Sequence, residues 1–106
     1  MANNYKNAKV DLTTTDVTTL YTAASAVTGI FKSVLVSNDS ASADTITATI
    51  TNGSDVFSLF KVKAVAANTT IELLTQPLVV QETEILKVTA ATANRLHVVA
   101  SYLEIS

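Results

Sequence analysis

Apolar and polar residues alternate along this chain with period two, not 3.6. The clearest stretch runs from Asp44 to Thr51, where Ile46, Ala48 and Ile50 fall on one side and Thr45, Thr47, Thr49 and Thr51 on the other. That pattern describes a strand with one buried face and one hydroxyl-bearing face. β-branched Thr, Val and Ile recur throughout, and they favour pleated backbone. About eight strands are predicted. The first lies near Lys6–Leu12, with Ala8, Val10 and Leu12 inward. The second, Val17–Ala23, buries either Val17, Thr19 and Tyr21 or, on its other side, Leu20. The third, Ile30–Ser37, runs through Phe31, Val34, Leu35 and Val36. The fourth is Thr45–Thr51. The fifth, Val56–Val65, places Val56, Phe60, Val62 and Ala64 on one face, with Phe57, Leu59, Lys61 and Lys63 on the other. The remaining three are Thr70–Leu74, Glu84–Thr89 and Leu96–Ile105.

Turn chemistry separates these runs. Asn38-Asp39-Ser40-Ala41-Ser42 carries short polar side chains that bond their own backbone. Asn52-Gly53 is the strongest hairpin signal, because both residues tolerate positive φ. Ala66-Ala67-Asn68 and Ala91-Thr92-Ala93-Asn94 are looser turns, and Pro77, without an N–H, interrupts pairing. A short helical turn fits around Thr22–Ala26. No segment supplies the helix that a parallel crossover needs. The expected fold is all-β: one antiparallel β-sandwich domain over 1–106, jelly-roll or immunoglobulin-like, with a polar N-terminal arm at about 1–7.

Composition then removes most chemistry. The 106 residues are 48% hydrophobic and 15% charged, against about 25% charged in an average protein. There is no Cys, one His and two well-separated Gly, Gly29 and Gly53. This leaves no thiol nucleophile, disulfide framework or multi-His metal site, and no Gly-rich phosphate loop. The net charge of −2 argues against a nucleic-acid partner. The polar start lacks the apolar stretch of a secretory signal, and apolar runs are too short to span a bilayer as a helix. No membrane partner and synthesis in a cytoplasm are the corresponding expectations.

His97 sits in a predicted strand without the nucleophile and orienting acid that a catalytic base needs. Glu82 and Glu84 are two apart and share a face if extended, but nothing signals the cleft that paired-carboxylate chemistry requires. The Asp39–Asp44 loop lacks the alternating ligands and Gly of a dedicated calcium loop. No catalytic residue, metal or cofactor is expected, and the chain reads as non-enzymatic.

What remains is surface. Phe57 and Leu59 leave the fifth strand apolar on both faces, a sign of self-association or docking, or of a second layer covered by loops. Lys61 and Lys63 beside them suit an acidic partner, or protect an edge strand from aggregation. Phe57, Leu59, Lys61, Lys63 and, on the arm, Tyr5 are the expected contact residues.

Several stretches together resemble a known family: Lys6-Asn7-Ala8-Lys9-Val10, Thr18-Thr19-Leu20-Tyr21-Thr22-Ala23, Lys32-Ser33-Val34-Leu35-Val36-Ser37-Asn38, Ile85-Leu86-Lys87-Val88-Thr89-Ala90 and Val98-Val99-Ala100-Ser101-Tyr102-Leu103-Glu104. Over nearly its full length the chain resembles small accessory virion proteins of tailed bacteriophages, found as head decoration, fibre or tail-associated components. Members often carry Pro-Ala-Gly in the turn after the second strand, where this chain reads Ala24-Ser25-Ala26-Val27-Thr28-Gly29. The resemblance implies a β-sandwich working in the virion, commonly as a symmetric oligomer. It carries over no catalytic residue. The leading expectation is a capsid decoration (cement) subunit that binds and stabilises the shell. Its partners would be itself, with a trimer suiting local threefold points, and the major capsid protein or another virion protein. The alternatives are a neck, tail or fibre component, or a carbohydrate-binding adhesion module with Tyr21 or Tyr102 as stacking rings.

Overall fold

The protein is described over residues 3–106 by a computed structural model. Nine strands and no helix occur among the described residues: β1 (Asn3–Leu12), β2 (Thr18–Thr22), β3 (Thr28–Asn38), β4 (Asp44–Asn52), β5 (Asp55–Val65), β6 (Thr69–Glu72), β7 (Leu78–Val80), β8 (Ile85–Ala90) and β9 (Leu96–Ile105). They form two antiparallel sheets packed as a β-sandwich. Sheet A has the order β1-β9-β3-β6, with β7 pairing the other end of β3, and sheet B the order β2-β8-β4-β5.

The alternation builds the core where it is regular. Ile46, Ala48 and Ile50 of β4 and Leu86, Val88 and Ala90 of β8 are buried from sheet B. Leu96, Val98, Ala100 and Tyr102 of β9 meet them from sheet A. Where pairing is irregular, the faces change. In β3 the register shifts between Phe31 and Ser33, so Lys32 is an extra residue, and Phe31 and Val34 are both buried while Leu35 is exposed. In β2 a shift between Thr19 and Tyr21 buries Leu20 and Tyr21 together and leaves Val17 exposed.

β5 departs furthest from strict alternation. Ser58 pairs Thr49, but Phe60 pairs Ala48 and Lys63 pairs Ile46. Two extra residues are thereby absorbed, and Phe57, Phe60, Lys63 and Val65 come to share the face of Ile50, Ala48, Ile46 and Asp44. The expected division of β5 into two alternating faces is therefore corrected. Val62 takes φ 53 at the second irregularity, a left-handed conformation that is rare and costly for a β-branched residue. Its N–H donates to Thr47 Oγ1 at 3.0 Å.

The turns follow the local chemistry. Gly53 opens the β4–β5 loop at φ 63, which suits a two-residue hairpin with Gly first. Asn68 and Asn94 hold left-handed φ in the looser turns. Ala26 does so after β2, within a tight turn in which Val27 N–H donates to the Ala24 carbonyl. The expected N-terminal arm is a correction as well: Asn3–Asn7 are the first half of β1, paired with Ser101–Ile105 of β9. Met1 and Ala2 lie outside the described residues.

Pro77 splits the strand opposite β3 into β6 and the three-residue β7, which the sequence pattern did not mark. The gap is filled by a side chain. Glu72 accepts hydrogen bonds from the Ser33 hydroxyl, from Val34 N–H at 2.7 Å and from Leu74 N–H at 3.2 Å. Leu73 N–H donates to the Val34 carbonyl at 2.9 Å. Partial burial alone would raise the Glu72 pKa, but these donors outweigh it and hold the carboxyl below its ordinary value.

Three rings join the sheets at one end. Tyr21 of β2 meets Phe31 edge-on at 5.1 Å between centroids and Tyr102 at 4.7 Å, while Phe31 and Tyr102 stack at 4.8 Å. The Tyr21 hydroxyl donates to Glu104 Oε2 at 2.8 Å, and Lys6 Nζ donates to Glu104 Oε1 at 2.9 Å. Burial and then the bond to Glu104 push the Tyr21 phenol above its ordinary range. The bonds from Lys6 and Tyr21 lower Glu104.

Two outcomes follow. A Cβ on Gly29 would lie 2.9 Å from Tyr21 Cε2, against a ring already held on its other sides. Gly29→Ala should cost about 1–3 kcal/mol as an overpacking change, read by urea unfolding. Glu72 and Glu104 both have lowered folded pKa values. Their contribution is complete above the unfolded carboxylate value of about 4.3 and is lost as pH falls through the folded values. Unfolding free energy should thus fall on acidification below about pH 4. Glu72→Gln should remove part of that slope and cost about 1 kcal/mol at neutral pH, a low figure because solvent reaches the carboxylate.

Candidate docking surface

The register of sheet A fixes what its outer face presents. Ala8, Ala100 and Val34 pair as one inward row, and Val10, Val98 and Val36 as the next. The residues between them therefore point outward. At one end Tyr5 pairs Leu103, Leu103 pairs Ile30 and Ile30 pairs Val79, giving an apolar row across β1, β9, β3 and β7. Next come Asn7, Ser101 and Ser33. A third row holds Lys9, Val99, Leu35 and Glu72, and a fourth Asp11, His97, Ser37 and Thr70.

Six apolar side chains thus lie in two rows with a row of small polar groups between them. Tyr5 is 81% exposed, Val79 48%, and Val99 and Leu35 40% each; Leu103 and Ile30 are half-buried. Four of the eight exposed large hydrophobic residues of the described chain stand on this one face. Exposed apolar side chains grouped on one sheet face are the kind of surface on which another molecule can dock. The face grades into charge at its far end, where His97 Nε2 lies 3.2 Å from Asp11 Oδ1 and His97 Nδ1 lies 3.8 Å from Asp39 Oδ2. Beside Tyr5 an open groove of about 300 Å³ is lined by Tyr5, Lys6, Asn7, Lys32, Ser101 and Tyr102.

The outer face of sheet B is different. Its register groups Thr19, Lys87, Thr49 and Ser58, then Thr22, Ile85, Thr51 and Val56. Hydroxyls are its commonest groups, although Thr51 is buried, and the Thr47 hydroxyl is used to hold β5.

The five expected contact residues divide between two surfaces. Tyr5 belongs to the sheet A face. Phe57, Lys61 and Lys63 are exposed on β5, the edge of sheet B, with Phe57 55% exposed. Leu59 is half-buried and packs against the core, so it does not point away from it as expected. Leu103, Ile30, Val79, Val99 and Leu35 were not anticipated as a surface. Their signal lay in the adjacent apolar pairs Val98-Val99 and Val34-Leu35, which imply apolar groups on both faces. Tyr21 and Tyr102 are both buried, which corrects their expected place as exposed stacking rings.

The other polar candidates serve the backbone. Glu82 Oε2 accepts from Ala26 N–H at 2.6 Å, and Glu84 Oε1 from Gln81 N–H at 2.7 Å. Asp44 accepts from Thr45 N–H at 2.8 Å and Thr92 N–H at 3.2 Å. Among the described residues, no group of three or more His, Asp or Glu side chains is placed to hold a metal ion. Compared with family models, curated proteins and solved structures, the chain matches none.

Proposed function

We propose that this protein is a non-enzymatic structural subunit of a phage virion, a capsid decoration protein that docks on the shell through the outer face of sheet A. The observation that carries the reading is the two-row apolar face of Tyr5, Leu103, Ile30, Val79, Val99 and Leu35. A subunit that covers this face against a shell protein stabilises the shell by the contact area it adds, repeated over many copies. The family-like stretches Lys6–Val10, Lys32–Asn38 and Val98–Glu104 fall on β1, β3 and β9, the strands that build the face.

The strand order gives further support. β1-β9-β3-β6 over β2-β8-β4-β5, with β7 continuing the β6 edge, is the wrap of a jelly roll. That architecture is common in viral shell proteins and in lectins; as an analogy of fold it supports the setting and not the mechanism. On this reading the chain is made in the host cytoplasm and works in the virion. Its direct partner is the major capsid protein. The exposed Val56, Phe57 and Val62 of β5 favour a second contact surface for the same function.

Capsids lacking the protein provide the test. Purified wild-type protein should bind them in fixed stoichiometry. Val99→Asp should weaken binding by tenfold or more, roughly the effect of removing one central contact of an interface, with the melting temperature of the free protein unchanged. Phe57→Asp reports on β5 in the same assay. Binding that is unaffected by Val99→Asp and Leu35→Asp together would exclude the sheet A face. Labelling of the neck or tail alone in intact particles would move the protein off the shell.

A further inference from the structure

Sheets expose edges as well as faces, and an unpaired edge is a template for another strand. Three of the four edges of this sandwich are broken. The β6–β7 edge consists of four and three residues separated by Pro77, with the Glu72 carboxylate accepting from Val34 N–H of β3 and from Leu74 N–H of the intervening segment. β2 has five residues and a register shift. β5 has two shifts, a left-handed Val62 and the cations Lys61 and Lys63. β1 is the exception. Its ten residues pair with β9 without a shift from Asn3 to Leu12, and its side chains are exposed along most of its length.

We propose that β1 pairs antiparallel with β1 of a second copy about a two-fold axis centred on Asn7, joining two A sheets into one. The register follows from the side chains. A two-fold axis through the sheet keeps the outer faces together, so facing residues must have the same parity. An axis at Lys6 sets Lys6 against its own copy, and like charges directly opposite are unfavourable. An axis at Ala8 sets the Tyr5 ring against the partner's Asp11, an anion where a ring face favours a cation. An axis at Asn7 pairs residues 3–11 with no like charges opposed. Lys6, already neutralised by Glu104, faces the partner's Ala8, and Asp11 faces the partner's Asn3. Tyr5, the most exposed large apolar residue, faces the partner's Lys9, which suits an ammonium over a ring. This pairing is independent of the docking role, since it is measured without capsids.

The chain has no Cys, so one introduced thiol reports directly. Facing Cα atoms in an antiparallel pair are about 4.5–5.5 Å apart, within the span of a disulfide, about 4.4–6.8 Å. Sedimentation of the wild-type chain should give twice the 11.2 kDa chain mass. Under mild oxidation Asn7→Cys should cross-link in a yield roughly tenfold above that of Val56→Cys on the broken β5 edge, because pairing concentrates the thiols. Tyr5→Lys, which opposes the partner's Lys9 twice, should weaken the dimer several-fold, roughly the cost of two like-charge pairs. Adding Lys9→Glu to it should restore the dimer, an effect that a purely structural role for Tyr5 does not give. A monomeric or trimeric wild-type mass overturns the proposal. So do equal cross-linking at Asn7 and Val56, and a Tyr5→Lys defect that Lys9→Glu leaves unrepaired.

Discussion

The sandwich depends on the approach of the Gly29 backbone to the Tyr21 ring. β2 is the short outer strand of sheet B, and Tyr21 is its reach across the core to Phe31 and Tyr102 of sheet A. The ring lies so close to β3 that a side chain at position 29 would have to displace it. With the ring in place, its hydroxyl finds Glu104, and Glu104 in turn fixes Lys6 of β1. One contact thereby anchors β2 to sheet A and places the carboxylate that Lys6 of β1 bonds. A chain of this size with no disulfide buries only a modest core, so a few specific contacts carry a large share of its uniqueness.

Irregular pairing decides which groups remain available at the surface. The extra residue at Lys32 lets Phe31 and Val34 both enter the core, and it sends Leu35 outward beside Val99. The face of sheet A is thus a product of the same shift that completes the core. On sheet B the irregular β5 has the opposite result: it draws Leu59 and Phe60 together onto the core and leaves Phe57 at an uncovered end.

The fold class was legible in the chain because β4 alternates without interruption and the turn residues stand between the runs. The inner residues of β8 and β9 follow from the same period. The faces of β5 were not legible, because one extra residue reverses the parity, a second restores it, and nothing in Leu59-Phe60-Lys61-Val62 announces them. The short β7 was hidden behind Pro77, since three residues are too few to show a period. The polar start of β1 reads as an arm because its order comes from backbone bonds to β9, which side-chain pattern does not record. The apolar face of sheet A was hidden for a related reason. Its rows join residues about a hundred positions apart, as Tyr5 and Leu103 are, and only the register brings them together.

The threonine face of sheet B bears on how this molecule meets others. Lys87 is the one charged side chain in its two best-defined rows, and the whole chain has a formal charge of −2. Such a surface produces little electric field beyond its own hydration layer. An encounter through this face is then governed by diffusion and shape, at the unsteered rates of about 10⁵–10⁶ M⁻¹s⁻¹. Counter-ions have little to screen there, so contacts made through this face should hold with little regard to the salt around them.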